Sequence, residues 1–231
     1  MAHGGGSFTI QNKILPGAYI NFVSAARASA TLSDRGVAAF PLQLSWGPEN
    51  EVVTVGSRDF QKDSLKLFGY AYTADELRPL RELFANAQTL HVFNLNTGGK
   101  KASCKYADAK YPGKVGNNLR IVIGQGEGYE AEENEVFDVS VYLGSVLVDI
   151  QRGVKAVSEL RPNDYVVWKG EEAFDVSVGI TFTAGADGTA QDAAYQAFLD
   201  KIEPYSFNVM GCDTTDDTVK GLFANFVKRL R

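Results

Sequence analysis

Between Lys101 and Ala186 the sequence repeatedly alternates. Phe137, Val139, Val141 and Leu143 fall on one side of an extended strand, and Asp138, Ser140 and Tyr142 on the other. A period of two cannot build a helical face; it demands a sheet. Gly144-Ser145 reads as a two-residue hairpin turn, after which Val146, Val148 and Ile150 return along a second strand. Phe174, Val176, Val178, Ile180 and Phe182 repeat the pattern. Half-buried strands at this spacing predict antiparallel sheets packed face to face, in a small sandwich or barrel.

The flanking stretches are mixed. Gly36 to Leu44 is an apolar run interrupted by Pro41, which predicts a strand with an edge or a bulge. Trp46-Gly47-Pro48 is a turn, and Glu51 to Val55 a short strand. Thr73-Ala74-Asp75-Glu76 has the form of a capping box, followed by Leu77, Leu80, Phe84 and Ala87 on one helical face. Pro79 lies too deep for a first-turn proline, so it kinks this helix or delays its start. Thr89 to Leu95 predicts a strand closed by Thr97-Gly98-Gly99.

After Gly188 helices resume. Thr189 and Asp192 open one whose face is Tyr195, Phe198, Leu199 and Ile202, and Glu203-Pro204 stops it. Tyr205 to Met210 predicts a strand. Asp216 and Asp217, then Lys228 and Arg229, suit the two ends of a last helix. Its apolar face, Leu222, Phe223, Phe226, Val227 and Leu230, has no evident seat, because a strand–helix unit normally runs on into a parallel strand. The chain therefore reads as truncated at Arg231.

The first 33 residues read as an arm. Gly4, Gly5 and Gly6 are followed by two short alternations, Phe8-Thr9-Ile10 and Ala18 to Phe22, divided by Pro16-Gly17. Two strands cannot make a core, so they need a sheet to join. The residues thus read as a two-part protein with an extended N-terminal arm (1–33): mixed α/β stretches on either side of a β-rich middle that suggests a small sandwich or barrel.

Charge and chemistry narrow the function by exclusion. The 231 residues carry a net charge of −5, which argues against a dedicated nucleic-acid binder. The arm holds Lys13 and Arg27 and no acid, whereas Ile121 to Gln151 holds seven acids and no base. No apolar run is long enough to span a bilayer, and the start lacks the basic and apolar regions of a signal peptide. Two cysteines, Cys104 and Cys212, make no disulfide framework and fit a reducing compartment.

Gly124-Gln125-Gly126-Glu127-Gly128 follows a strand but opens no helix and is followed by acids that repel phosphate, so it reads as a hairpin turn. A P-loop needs Gly where Asn94 stands and Ser or Thr where Lys101 stands. His3 and His91 lack metal-ligand spacing, and His91 reads as a partly buried, hydrogen-bonded imidazole. Cys212 precedes a helix start, which can lower a thiol pKa, but a small core residue is the plainer reading. Asp213, Asp216 and Asp217 read as helix-capping acids rather than a catalytic or magnesium cluster. No catalytic site, cofactor or metal is expected.

Several strings go further. Lys13 to Phe22, Lys-Ile-Leu-Pro-Gly-Ala-Tyr-Ile-Asn-Phe, resembles the Pro-Gly-x-Tyr-Ile opening of contractile tail sheath proteins. Arg35-Gly36 to Trp46-Gly47-Pro48 is similar to that family's first core strand and its Gly-Pro turn, and Asp59-Phe60 with Leu67-Phe68-Gly69 fits its next spacing. Most specific is Ala109-Lys110-Tyr111-Pro112-Gly113-Lys114-Val115-Gly116-Asn117-Asn118-Leu119, which resembles the family's Tyr-Pro-Gly-x-x-Gly-Asn-x-Leu signature. The resemblance spans essentially the whole chain and is nearest to sheaths of Gram-positive myophages and phage-like bacteriocin particles.

It implies an α+β, multidomain fold in which an inserted antiparallel β-sandwich (101–187) interrupts an α/β core in two segments (34–100 and 188–231) behind the N-terminal arm (1–33), and a non-enzymatic subunit of a virion or phage-like tail, assembled in the host cytoplasm. The implied homo-oligomer is a helical stack of hexameric rings around a tail tube protein, with baseplate and tail terminator proteins as further partners and neither nucleic acid nor membrane insertion. Contraction of the stack drives the tube through the target envelope. The implied inter-subunit arm contacts are Phe8, Ile10, Ile14, Leu15, Tyr19, Ile20 and Phe22, adding strands to neighbouring sheets. The competing reading is a carbohydrate-binding or hydrolytic tail module built on the sandwich, with Trp46 and Trp168 as its only tryptophans for sugar stacking.

Overall fold

The structure, a computed structural model, describes residues 36–131, 133–170, 172–190 and 192–230. It opens with β1 (Val37–Leu42), β2 (Val52–Gly56) and α1 (Ser57–Phe68). A 3-10 turn over Asp75–Leu77 leads into α2 (Arg78–Phe84) and β3 (Thr89–Asn94). Then come β4 (Ala107–Ala109), β5 (Leu119–Gln125), β6 (Phe137–Leu143), β7 (Val146–Val154), β8 (Val166–Trp168) and β9 (Ser177–Thr181). The described chain closes with α3 (Asp192–Ile202), β10 (Val209–Met210) and α4 (Asp217–Arg229). The result is a mixed α/β protein with several sheets.

One sheet has the order β10-β1-β3-β2, with β1 parallel to both β10 and β3 and β2 antiparallel to β3. Its two faces are both covered, which is why its strands read as continuous apolar runs. Ala38, Phe40, Leu42, Leu90 and Val92 face Phe60 and Phe68 of α1 and Leu80 of α2. Ala39 and Phe93 face α3 and α4. Pro41 sits in an interior strand, yet at a local edge. The Val37 and Ala39 carbonyls accept from the Asn208 and Gly211 N–H groups, so odd residues of β1 face β10. Pro41 continues that parity beyond the last β10 pair, Ala39 with Met210, so its missing N–H leaves no ladder bond unmade.

The helices differ from expectation in three ways. The sequence reading places no helix over 57–68, although Phe60, Ser64 and Phe68 recur every fourth residue and are buried. Gly69 ends α1 in the left-handed region at φ 77°, its N–H bonded to the Leu65 carbonyl. The capping box at Thr73 does not form; Ala74 precedes the 3-10 turn with no side-chain cap, and Pro79 delays α2 to Arg78. The apolar face of α4, left unseated above, rests on α3, where Phe223 stacks on Phe198 at 5.8 Å and meets Tyr195 edge-on at 6.2 Å.

The middle of the chain forms a four-stranded antiparallel sheet, β7-β6-β5-β9, and a two-stranded antiparallel pair, β4-β8. Between them lie Tyr106, Ile121, Ile123, Val139, Val141, Val166 and Phe182, all essentially buried. Leu143 pairs with Val146 across Gly144-Ser145, the two-residue turn expected there. Alternation fails at the two edges. Val146 is 49% and Ile150 41% exposed, and β7 carries a register shift opposite Val141–Tyr142. Val176 and Val178 are 55% and 89% exposed, and β9 shifts register opposite Ile121–Ile123. An extra residue in an edge strand turns the next side chain away from the core, which a strict period-two count cannot anticipate.

A Cβ on Gly69 would lie 2.5 Å from the Trp46 Cβ, and its φ is left-handed. Gly69→Ala is therefore expected to destabilise the protein by about 2–4 kcal/mol, combining backbone strain with overpacking. Chemical denaturation measures this; a loss below about 0.5 kcal/mol, the range of an ordinary surface change, would contradict the packing described.

Candidate functional site

Trp46, Asn94 and Asn96 bring aromatic and amide side chains together where the sheet of β1–β3 meets the β-rich middle of the chain. Trp46 is fully buried there, within the sandwich core cluster, edge-on to Tyr111 at 5.4 Å and tilted against Tyr165 at 6.4 Å. Its Nε1 donates to the Lys66 carbonyl at 3.3 Å, one of the carbonyls a helix C-terminus leaves without an internal partner. Asn94, at the end of β3, accepts at Oδ1 from the Leu44 and Asn96 N–H groups, both at 3.1 Å, and donates from Nδ2 to the Trp46 carbonyl at 3.0 Å. Asn96 donates to the Pro112 carbonyl at 3.4 Å and accepts from the Gly188 N–H.

Two chain crossings close the junction. Lys100 and Ala186 exchange backbone bonds of 2.8 and 3.0 Å, which ties the chain ahead of β4 to the chain beyond β9. Gly113, at φ 126°, packs its Cα so tightly on the Ser45 carbonyl that a Cβ has no room. Asp187 accepts from the Lys114 N–H at 2.9 Å and pairs with its Nζ at 3.2 Å. Burial raises the Asp187 pKa, but the bonds from Lys114 and Ser45 outweigh it and the net shift is downward. On the rim, Asp164 pairs with Lys66 of α1 at 2.9 Å and with Lys110 at 3.2 Å, and the Lys66 hydrogen bond holds its pKa low.

This junction is assembled from the motifs singled out in the sequence: Trp46-Gly47, Leu67-Phe68-Gly69 and Tyr111-Pro112-Gly113. Comparison with known proteins decides what it belongs to. The family model described as tail sheath protein Gp18 domain III N-terminal region matches residues 35–95, and that of the phage tail sheath protein beta-sandwich domain matches 97–187. Together they take in about two thirds of the chain. The chain belongs to the phage tail sheath family.

Among its relatives, the phage-like element PBSX protein XkdK of Bacillus subtilis (strain 168) is 32% identical over an alignment of 252 positions, covering 98% of this chain and 52% of the relative. The uncharacterized protein YqbK of the same organism is 31% identical with the same coverage. The solved sheath tail protein of Desulfitobacterium hafniense superposes with a TM-score of 0.77 at 32% identity, over 93% of this chain and 50% of that one. That of Listeria innocua gives 0.72 at 31% identity, over 85% and 45%. The chain spans about half the length of the curated relatives it matches.

Phe8, Ile10, Ile14, Leu15, Tyr19, Ile20 and Phe22, expected from the sequence as arm contacts, lie outside the described residues. The candidates for chemistry are dispersed. His91 is largely buried, its Nδ1 2.9 Å from Thr54 Oγ1 and its Nε2 3.3 Å from the Ser206 carbonyl. Burial raises the Cys212 pKa rather than the nearby helix start lowering it, and burial likewise raises that of Cys104. Asp216 caps α4 by accepting from the Thr218 and Val219 N–H groups, and Asp217 pairs with Lys220 at 3.0 Å. Gly124 to Gly128 leads from β5 into an acidic hairpin loop that returns as β6, with Gln125 opposite Phe137. Trp46 is unavailable for sugar stacking, and Trp168 Nε1 donates to the Arg161 carbonyl. No single stretch of sequence carries the junction; its signal in the sequence is the glycine beside each bulky or polar partner.

Two outcomes follow from this geometry. Trp46→Ala is expected to cost about 3–5 kcal/mol by denaturation, as for other buried tryptophans; a cost under about 1 kcal/mol would remove Trp46 from the core of the junction. Burial, the larger influence, lowers the His91 pKa below that of the unfolded chain. The unfolded state then takes up the proton first. Stability is full above about pH 6.5 and falls as the pH drops from there through the folded pKa. His91→Gln should flatten this fall, read as the melting temperature between pH 7.5 and 5.5, and an unchanged slope would refute it.

Proposed function

We propose that the chain is a structural, non-enzymatic subunit of a contractile tail sheath, polymerising around the tail tube and contracting to drive it through the target envelope. The observation that carries this is the likeness to the solved sheath tail protein of Desulfitobacterium hafniense, at 32% identity over 93% of the chain. In this reading copies form hexameric rings stacked helically, with the tube, baseplate and tail terminator proteins as partners. The particle is a virion or phage-like tail assembled in the host cytoplasm.

The division of labour is an α/β core (34–100 and 188–231) carrying an inserted sandwich (101–187), with the arm (1–33) reaching a neighbour. The paired Lys100 and Ala186, which bring the sandwich ends together, support the insertion. Phe8, Ile10, Ile14, Leu15, Tyr19, Ile20 and Phe22 are the arm contacts, pairing main chain to a neighbouring sheet edge. The glycan reading is not favoured, since its two tryptophans are committed to other contacts.

Immunogold labelling of particles with an antibody to this chain tests the assignment. Label is expected along the tail at a regular repeat; label confined to the tip, or absent, would overturn it. Deleting Met1 to Phe22 should leave the melting temperature nearly unchanged while abolishing polymers in electron micrographs. Ile20→Pro, which removes a donor and fixes the dihedral, should weaken assembly more than Tyr19→Ala. Polymers that survive the deletion would remove the arm from the mechanism.

A further inference from the structure

We propose that Asp187-Gly188 is a dormant site of spontaneous isoaspartate formation, kept inert because the junction holds both reacting groups. Asp-Gly offers this rearrangement little steric resistance, because glycine leaves the attacking nitrogen uncrowded. The 231 residues contain Asp-Gly once, at Asp187-Gly188, and contain no Asn-Gly. In the reaction the Gly188 nitrogen attacks Cγ of the protonated Asp187 carboxyl group. The nitrogen gives up its proton, and water departs as a five-membered succinimide closes. Water then adds back. Opening at the Asp187 main-chain carbonyl leaves the chain running through the side chain as isoaspartate, with an added methylene in the backbone and no change in mass.

Each requirement of that reaction is opposed by a contact of the junction. The Gly188 N–H donates to Asn96 Oδ1, and the Gly188 carbonyl accepts from Gln43 Nε2 at 3.1 Å. The Gly188 Cα lies so close to the Thr97 carbonyl that a Cβ has no room. The attacking nitrogen is thus clamped by its neighbours. The carboxyl group is held as well: Asp187 Oδ1 accepts from the Lys114 N–H at 2.9 Å, Oδ2 pairs with the Lys114 Nζ at 3.2 Å, and the Ser45 hydroxyl donates to it. These bonds favour the ionised carboxylate, the form that resists attack, and swinging Cγ onto the Gly188 nitrogen breaks them. Asn96 is 1% exposed, so releasing the Gly188 N–H strands a buried amide oxygen. The rearrangement is therefore tied to opening of the junction. An added methylene shifts Gly188 relative to Ala186, whose main chain is paired with Lys100, so the lesion loosens the fastening that had prevented it.

The test follows isoaspartate in the folded 231-residue chain held at neutral pH and physiological temperature. The digest peptide carrying Asp187 is read by its retention shift at unchanged mass and by enzymatic methylation of isoaspartate. Isomerisation in the folded chain should be at least about tenfold slower than in the same chain unfolded in urea. Asn96→Ala should raise the folded-state rate about tenfold. Lys114→Ala should raise it less, since the Ser45 bond remains. Phe223→Ala, which weakens the packing of α4 on α3 away from the junction, should leave the rate at the parent value while the chain stays folded by its melting curve. Asp187→Glu should remove the signal. Should Asn96→Ala fail to fold, Gln43→Ala and Lys114→Ala replace it, each expected to exceed Phe223→Ala in rate. Equal rates in the folded and unfolded chain, a signal that survives Asp187→Glu, or junction variants no faster than Phe223→Ala would each overturn the proposal.

Discussion

The carboxamide of Asn94 is the point on which the remaining structure depends. It is 7% exposed, and it fixes three backbone groups in the segments that flank it: Leu44, Trp46 and Asn96. A buried amide that loses a partner leaves an unmet group costing about 1–3 kcal/mol, so a fully satisfied one selects a single arrangement. Holding the Trp46 carbonyl positions an indole that closes the sandwich core and caps α1 at the Lys66 carbonyl. Asn96 then passes the constraint to Pro112 and to Gly188, on the outgoing and returning strands of the chain. The two family matches end and begin on either side of Asn96, so the residue between the matched units is one that fastens them.

Much of this was legible in the sequence, and the failures have physical causes. The inward face of β6 is the strict alternation Phe137, Val139, Val141, Leu143, and it is buried as read because β6 is an interior strand flanked on both sides. β7 and β9 show similar alternation but are edges, where a register shift costs little and turns Ile150 and Val178 to solvent. Helix α1 went unread because its buried face includes Ser64, a polar residue that weakens the apolar repeat between Phe60 and Phe68. The seat of α4 was invisible for another reason: α3 presents Phe198 and Tyr195 toward it, and a packing of two helices leaves no pattern in either one alone. The resemblance motifs are separate strings in the sequence, and their convergence on one junction is a property of the fold.

Two kinds of interaction join the sandwich to the α/β part, and their magnitudes differ. The Lys66–Asp164–Lys110 cluster bridges α1 to the sandwich, but its side chains are about one third to one half exposed, and exposed pairs contribute at most about 1 kcal/mol each. Burying an indole removes some 150–250 Å² from water, about 4–6 kcal/mol at 25 cal/mol per Å². The Asn94 and Asn96 bonds and the Lys100–Ala186 pair add to that side. The apolar and hydrogen-bonded weld therefore decides how the sandwich is set on its base, and salt has little hold on it.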